Sequence, residues 1–229
     1  MSLNTTTKFG SKTSGLGDIL LLTSICKYAP MQFTIQLPPA QERFSCLFKG
    51  LANIEITKQI TTLEDIGAGH YSTRKLRGLF ENADILDNRP LVLYSDPESE
   101  EWAINYLVKE CDGKPSVIFQ SDCSPQWRHV RSIPESISVQ IKEQLTSQNV
   151  HVIDASELTK LDLKKYTCLM RKVGRYVGSN TGDFHLAVAV GAMCNVYEPK
   201  NNKFFQDYEW NYRHPSILYG KYEIESGMR

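Results

Sequence analysis

The sequence predicts an α/β protein made of two Rossmann-like domains, in which parallel sheets are flanked by helices and the first domain is the smaller. Three observations predict it. Apolar runs of strand length alternate with longer stretches of helical period, the pattern of β-α units feeding a parallel sheet. Two glycine-containing turns, Gly15-Leu16-Gly17 and Ser179-Asn180-Thr181-Gly182, each stand between a strand-like and a helix-like segment. Two prolines, Pro90 and Pro97, bracket a short apolar run and mark a junction, giving domains at 1–94 and 95–229.

In chain order, a short strand near Thr5 to Phe9 leads through the first glycine turn into a helix from Asp18 to about Tyr28. Phe33 to Leu37 reads as the next strand and stops at Pro38-Pro39. An amphipathic Gln41 to Leu51 segment then reaches the strand Ile54 to Ile56. From Thr61 to Asn88 the pattern weakens, with a helix expected over Arg74 to Phe80. Past the junction come a helix over Glu98 to Cys111, a buried strand over Ser116 to Phe119, and a helix from Pro134 to Ser147. Strands at Val150 to Ile153, Arg175 to Gly178 and Asn195 to Tyr197 alternate with helices at Leu163 to Val173 and Asp183 to Gly191. The last half thus reads β-α-β-α-β-α-β, a small doubly wound sheet. The aromatic tail, Phe204, Phe205, Tyr208, Trp210 and Tyr212, is expected to pack back across the junction.

Composition narrows the function. Lys plus Arg and Asp plus Glu each number 26, so no broad positive field exists to hold a nucleic-acid backbone, and any anionic ligand must be bound locally. No apolar stretch approaches the ~20 residues of a membrane span, and the first residues lack the apolar core of a signal peptide, so a cytoplasmic location is expected. Peripheral contact with a membrane stays open. The six cysteines contain no C-x-x-C pair and are expected to be reduced and mostly buried; the dispersed histidines offer no zinc spacing.

In a parallel sheet, ligands bind past the carboxyl ends of the strands, where following helices present unpaired N–H groups and a positive dipole end. The segment Ser179-Asn180-Thr181-Gly182-Asp183-Phe184-His185 has that form: Asn180 or Thr181 to cap the helix, hydroxyls at Ser179 and Thr181 to donate to phosphate, Gly182 for close approach, and His185 in the first turn. At the other motif, Ser14-Gly15-Leu16-Gly17-Asp18-Ile19-Leu20, the third glycine of a dinucleotide fingerprint is replaced by Leu20. The helix dipole should hold Asp18 ionised as a weak base.

These strings resemble the heptosyltransferase-like glycosyltransferases, family 9, of the two-domain GT-B type. N-T-G-D-F-H-L-A-V-A at Asn180 to Ala189 is similar to the family's D-[TS]-G-x-x-H-L-A-x-A, with Asn180 in place of the aspartate, and Gly17-Asp18-Ile19-Leu20 is similar to its G-D-[VI]-[LI]. A looser likeness covers Ser121 to Pro134, where the family carries a hydroxyl and a basic residue for the donor diphosphate. The chain is shorter than the family's usual members, and the segment from Ile153 to Leu161 looks trimmed.

The resemblance implies transfer of a sugar from a nucleoside-diphosphate sugar to a hydroxyl of a saccharide or glycolipid acceptor, with inversion and without a metal or other cofactor. Asp18 would be the general base. Gly17, Ser121, Arg131, Ser179, Asn180, Thr181, Gly182 and His185 would bind the donor, with Ser124 a second hydroxyl candidate and Arg128 and His129 lesser cations. No Asp-x-Asp pair occurs, so the leaving-group charge would fall to Arg131, His185 and a helix N-terminus. Two alternatives stand beside this: a relative that binds nucleotide sugar or phosphate with impaired turnover, and a nucleotide-sugar epimerase.

Overall fold

The computed structural model describes residues 9–10, 15–17, 19–20, 23, 33–36, 39–49, 54–57, 64–65, 89–90, 96–125, 128–200, 212 and 214–222. The chain forms two compact units, Met1–Tyr94 and Ser95–Arg229.

The first unit holds a four-stranded parallel sheet of β1 (Phe9–Gly10), β2 (Phe33–Gln36), β3 (Ile54–Thr57) and β4 (Glu64–Asp65), in the order β3-β2-β1-β4. Strand order reverses at β1, which has β2 on one side and β4 on the other. The chain leaving β1 therefore enters its helix at a switch point. That helix begins at Leu16, and Ile19 N donates to Gly15 O at 3.2 Å. Ile19, Leu20, Phe44, Leu47 and Phe48 are buried. The segment expected as a helix over Gln41 to Leu51 is a 3-10 helix, Pro39–Phe48, with Pro39 at its first position. β4 lies in the stretch where the apolar pattern is weakest. Asp18, residues 5–8 of the first expected strand and the helix expected over Arg74 to Phe80 lie outside the described residues.

The second unit is a five-stranded sheet, parallel throughout, ordered β6-β5-β7-β8-β9. Its strands are β5 (Ser116–Gln120), β6 (His151–Asp154), β7 (Arg175–Ser179), β8 (Met193–Pro199) and β9 (Ile217–Tyr222). The helices fall close to their expected bounds: Pro97–Cys111, Glu135–Ser147, Leu163–Val173 and Gly182–Ala189. Their ends follow local chemistry. Asp96 caps the first by accepting from Ser99 N at 3.3 Å, with Pro97 at the first helical position. Asp162 caps the 163–173 helix by accepting from Lys164 N at 2.7 Å, and Gly174, at φ 64°, ends it in the left-handed region that glycine tolerates. Asp154 caps a short 3-10 helix, Ala155–Leu158, which occupies the stretch expected to be trimmed.

Alternation along β7 and β8 sorts two faces. Val177 and Tyr197 face a core with Phe119, Ile133, Ile141, Leu145 and Tyr222 beneath the 135–147 helix. Tyr176, Cys194 and Val196 occupy the other face and are buried; there the Tyr176, Phe184, Tyr212 and Tyr219 rings pack at centroid distances of 5.5–6.2 Å. The fifth strand, β9, was not expected from the sequence; the tail's aromatics masked a strand with Ile217 and Tyr222 buried. Residues 201–211 of that tail lie outside the described residues. Among the described residues no helix is long and apolar enough to cross a membrane.

Candidate donor-binding site

The second sheet reverses its strand order between β5 and β7, which pair through Phe119–Val177 and Gln120–Gly178. Chain leaving the carboxyl ends of these two neighbours diverges to opposite sides and opens a crevice, the usual ligand position in such a sheet. Two predicted site segments leave from these ends: Ser121 to Ile133 after β5, and Asn180 to Gly182 after β7. Gly178 makes the close pairing feasible. A Cβ there would stand 2.3 Å from Gln120 O and 2.8 Å from the Tyr176 hydroxyl.

The β5 loop is braced by Asp122. Its carboxylate accepts from Arg128 Nε at 2.9 Å, Arg128 Nη2 at 2.6 Å, Ser132 Oγ at 2.6 Å and Cys123 N at 2.8 Å. The Arg128 guanidinium, with Ser132 and the Cys123 N–H, holds the Asp122 carboxyl below its ordinary range against the opposing effect of burial. Arg128, a lesser cation in the sequence reading, is thereby engaged by a loop carboxylate that the sequence did not point to. Ser121 gives its carbonyl to Ile133 N at 2.7 Å, so the loop closes on itself. Tyr222, at the end of β9, donates its hydroxyl to Ser132 O at 3.0 Å and ties the loop to the far strand. This closure carries the short helix Arg128–Arg131 against β8, with Arg131 half-buried. Arg131 also lies near enough to Cys123 to oppose the rise that burial gives its thiol. Ser124 and His129 are exposed, and Trp127 lies outside the described residues.

After β7, the Tyr176 hydroxyl donates to Ser179 O at 2.8 Å and lies 3.4 Å from Thr181 Oγ1, fixing the turn from within. Thr181 is the N-cap of the Gly182–Ala189 helix but makes no side-chain cap bond. Asn180 does not cap either: its Nδ2 donates to Glu198 Oε1 at 3.2 Å. The expectation of a side-chain cap from Asn180 or Thr181 is therefore corrected; at the helix start the Asp183 carboxyl accepts from its own backbone N–H and from Thr181. Ser179 is fully buried, and its Oγ has no hydrogen-bond partner among the described residues. By alternation it lies on the face of Val177 and Tyr197, the face that the loop's Ile133 covers. A buried hydroxyl without a partner costs on the order of 1–3 kcal/mol, a cost that a ligand oxygen would remove.

His185 is 8% exposed, and its Nδ1 sits 2.6 Å from the Tyr212 hydroxyl, beneath the Phe184 and Tyr212 rings. Sequence reading aimed the imidazole at the ligand; the structure turns Nδ1 to the Tyr212 hydroxyl in the core. Burial pushes the Tyr212 hydroxyl well above its ordinary range, keeping it neutral. Asp183, beside Gly182 in the first helical turn, is a residue that sequence reading passed over. Desolvation raises its carboxyl above the usual value, opposed by Tyr166, its own backbone N–H and Thr181. Glu198 and Lys221 were also missed, although an acid two residues beyond buried Val196 in a strand was a legible signal.

In the first unit, Gly17 is half-buried in the first turn of the helix that follows β1. Among the described residues no group of three His, Cys, Asp or Glu side chains is placed to hold a metal ion.

No protein-family model and no curated protein sequence matches this chain. Solved structures do resemble it. The ADP-heptose lipopolysaccharide heptosyltransferase II of E. coli is 10% identical with a TM-score of 0.60, over 94% of this chain and 92% of its own. The glycosyl transferase family 9 protein of Veillonella parvula DSM 2008 is 12% identical with a TM-score of 0.65, over 99% and 92%. TibC of enterotoxigenic E. coli H10407, described as an iron-containing dodecameric glycosyltransferase, is 13% identical with a TM-score of 0.53, over 84% and 58%. The chain thus has the α/β fold of heptosyltransferase-like GT-B glycosyltransferases, as its two motifs led one to expect.

Proposed function

We propose that this protein is a glycosyltransferase that moves a sugar from a nucleoside-diphosphate sugar to a hydroxyl of a saccharide acceptor. The observation that carries the reading is the crevice at the β5/β7 switch point. There the buried, unpartnered Ser179 hydroxyl, the start of the Gly182–Ala189 helix and the loop bearing Arg131 lie at one edge of one sheet. A diphosphate suits these groups: it brings oxygens for Ser179 and the helix N–H groups, and negative charge toward Arg131. The fold shared with ADP-heptose transferases supports an ADP-sugar as the first donor to try.

Sugar transfer asks for stabilised charge on the departing diphosphate and a base for the acceptor hydroxyl. Arg131 and the helix N–H groups serve the first need without a metal, with His185 in the first turn of the same helix. Asp18, which follows Gly17 in the sequence, serves the second. A carboxylate is a weak base, so the proton moves late, once the anomeric carbon is oxocarbenium-like and bond formation has acidified the hydroxyl. One displacement with a base and no covalent intermediate inverts the anomeric centre.

The experiment is a thermal-shift panel of ADP-, GDP-, UDP- and CMP-sugars followed by transfer assays. A micromolar donor at millimolar concentration adds ~4 kcal/mol of stability. Silence across the whole panel would refute donor binding. Asp18→Asn is expected to keep the donor-induced shift and to lose transfer by about 10²-fold or more; retained transfer removes Asp18 as the base. Substitution of Asn for the family's aspartate at position 180 keeps a second reading alive, donor binding with impaired turnover, which the same two assays separate.

A further inference from the structure

Glu198 is the least expected residue of the second sheet. It is fully buried at the carboxyl end of β8, with Lys221 directly opposite on β9 and its Nζ 3.0 Å from Oε2. Its other oxygen, Oε1, accepts from Asn180 Nδ2 at 3.2 Å. A buried carboxylate persists only where both oxygens are met, and here Lys221 meets one and Asn180 the other.

The polarity of this arrangement decides what Asn180 can offer. A carboxylate accepts and does not donate, so the amide must turn its NH2 prong toward Glu198. The opposite prong, Oδ1, is then turned away, and among the described residues nothing donates to it. Asn180 is half-buried at the end of β7, at the mouth of the switch-point crevice. It therefore presents an acceptor backed by a negative charge. Phosphate oxygens are acceptors too and carry negative charge, so they are mismatched to it; a hydroxyl is matched.

We propose that Glu198 is a positioning residue that locks the Asn180 amide with Oδ1 toward the crevice, so that Asn180 takes a hydroxyl of the donor, not its diphosphate. This rests on the donor-binding reading above and revises the part given to Asn180 by its sequence position. It also relocates the charge that the family's aspartate would have carried: the acid stands one strand over, and an amide relays its orientation.

The test uses the full chain and four forms: wild type, Asn180→Ala, Glu198→Gln, and the exchange pair Asn180→Asp with Glu198→Gln. Affinities are measured for ADP-heptose, ADP and inorganic pyrophosphate. Asn180→Ala and Glu198→Gln are each expected to weaken ADP-heptose about tenfold, the worth of one well-placed hydrogen bond, and to leave pyrophosphate within about twofold. The exchange pair should recover ADP-heptose binding to within about threefold of wild type. In it the amide introduced on β8 donates to the carboxylate introduced at the end of β7, whose second oxygen still faces the crevice. If ADP weakens in parallel with ADP-heptose, the hydroxyl belongs to the ribose; if ADP does not change, it belongs to the transferred sugar. The proposal is overturned if Glu198→Gln binds ADP-heptose as wild type does while Asn180→Ala does not, or if pyrophosphate weakens as much as ADP-heptose. Should Glu198→Gln fold poorly, the exchange pair decides alone: no recovery in a folded double variant sinks the idea. Wild type that binds none of the three probes refutes the donor reading and the hydroxyl assignment with it. A double-mutant cycle on unfolding still measures the grip of Glu198 on Asn180, and a coupling within error of zero overturns that part.

Discussion

Replacing Gly178 by alanine attacks the crevice through its floor. The added Cβ would meet Gln120 O at 2.3 Å, Gln120 C at 3.0 Å and the Tyr176 hydroxyl at 2.8 Å. Two of these neighbours are backbone of the paired strand, which cannot swing aside as a side chain would, so β5 and β7 must separate where they pair as Gln120–Gly178. Overpacking of this kind costs about 1–3 kcal/mol. Displacing the Tyr176 hydroxyl from Ser179 O adds about 1 kcal/mol more. The expected loss of about 2–4 kcal/mol corresponds to a fall in Tm of roughly 4–16 °C for a chain of this size. Gly174→Ala supplies the control, since its only near neighbour is Arg171 O at 3.8 Å and its cost comes from the positive φ alone, about 1 kcal/mol. The assay is thermal and urea unfolding of both variants beside wild type, followed through tryptophan fluorescence. A Gly178→Ala variant within about 0.5 kcal/mol of wild type, or less affected than Gly174→Ala, would refute the claim that β5 and β7 approach this closely.

Other expectations concern charge. Arg131→Ala should weaken nucleotide-sugar binding by about 10-fold to 100-fold, the loss of one charge-assisted contact; calorimetric titration reads it, and affinity unchanged within about twofold would count against the role. Asp183 has a folded-state pKa raised above its ordinary 3.8 by burial, so the fold prefers the proton: stability is highest below that value and falls as pH rises through the raised one. Asp183→Asn should therefore raise Tm at neutral pH, and the gain should vanish near pH 3.8; equal shifts at both pH values would count against it. Transfer activity, once the donor is known, is expected to survive exhaustive treatment with a chelator, and a loss restored by iron or magnesium would remove the metal-independent assignment.

What the sequence made legible followed from local chemistry. The Leu163–Val173 helix has both bounds written into it, Asp162 as cap and Gly174 as stop. The 182–189 helix is apolar on nearly all sides because it is buried, and its start was visible as a turn between two apolar runs. Less legible were features set by partners distant in the chain. β9 is held by pairing with β8 and by two tyrosines, and its alternation was blurred among aromatics. Pro39–Phe48 carries a helical pattern, and periodicity does not separate 3-10 from α geometry over so short a span. At the site, residue types were readable but orientation was not. Asn180 was seen as a candidate cap and Arg128 as a lesser diphosphate cation because Glu198 and Asp122, which bond them, reveal their roles only through register and loop closure.

The ion pair between β8 and β9 also bears on the order of assembly. All five strands of the second sheet are parallel, so none can pair with its neighbour before a crossover has closed, and β9 contributes the last pairing partner in chain order. Until it docks, Glu198 lacks Lys221 and the Ser132 carbonyl lacks the Tyr222 hydroxyl. The carboxylate bonded to Asn180 is thus itself met by the strand that comes last among the described elements, so β9 bears on the site through Lys221 and Tyr222 without entering it.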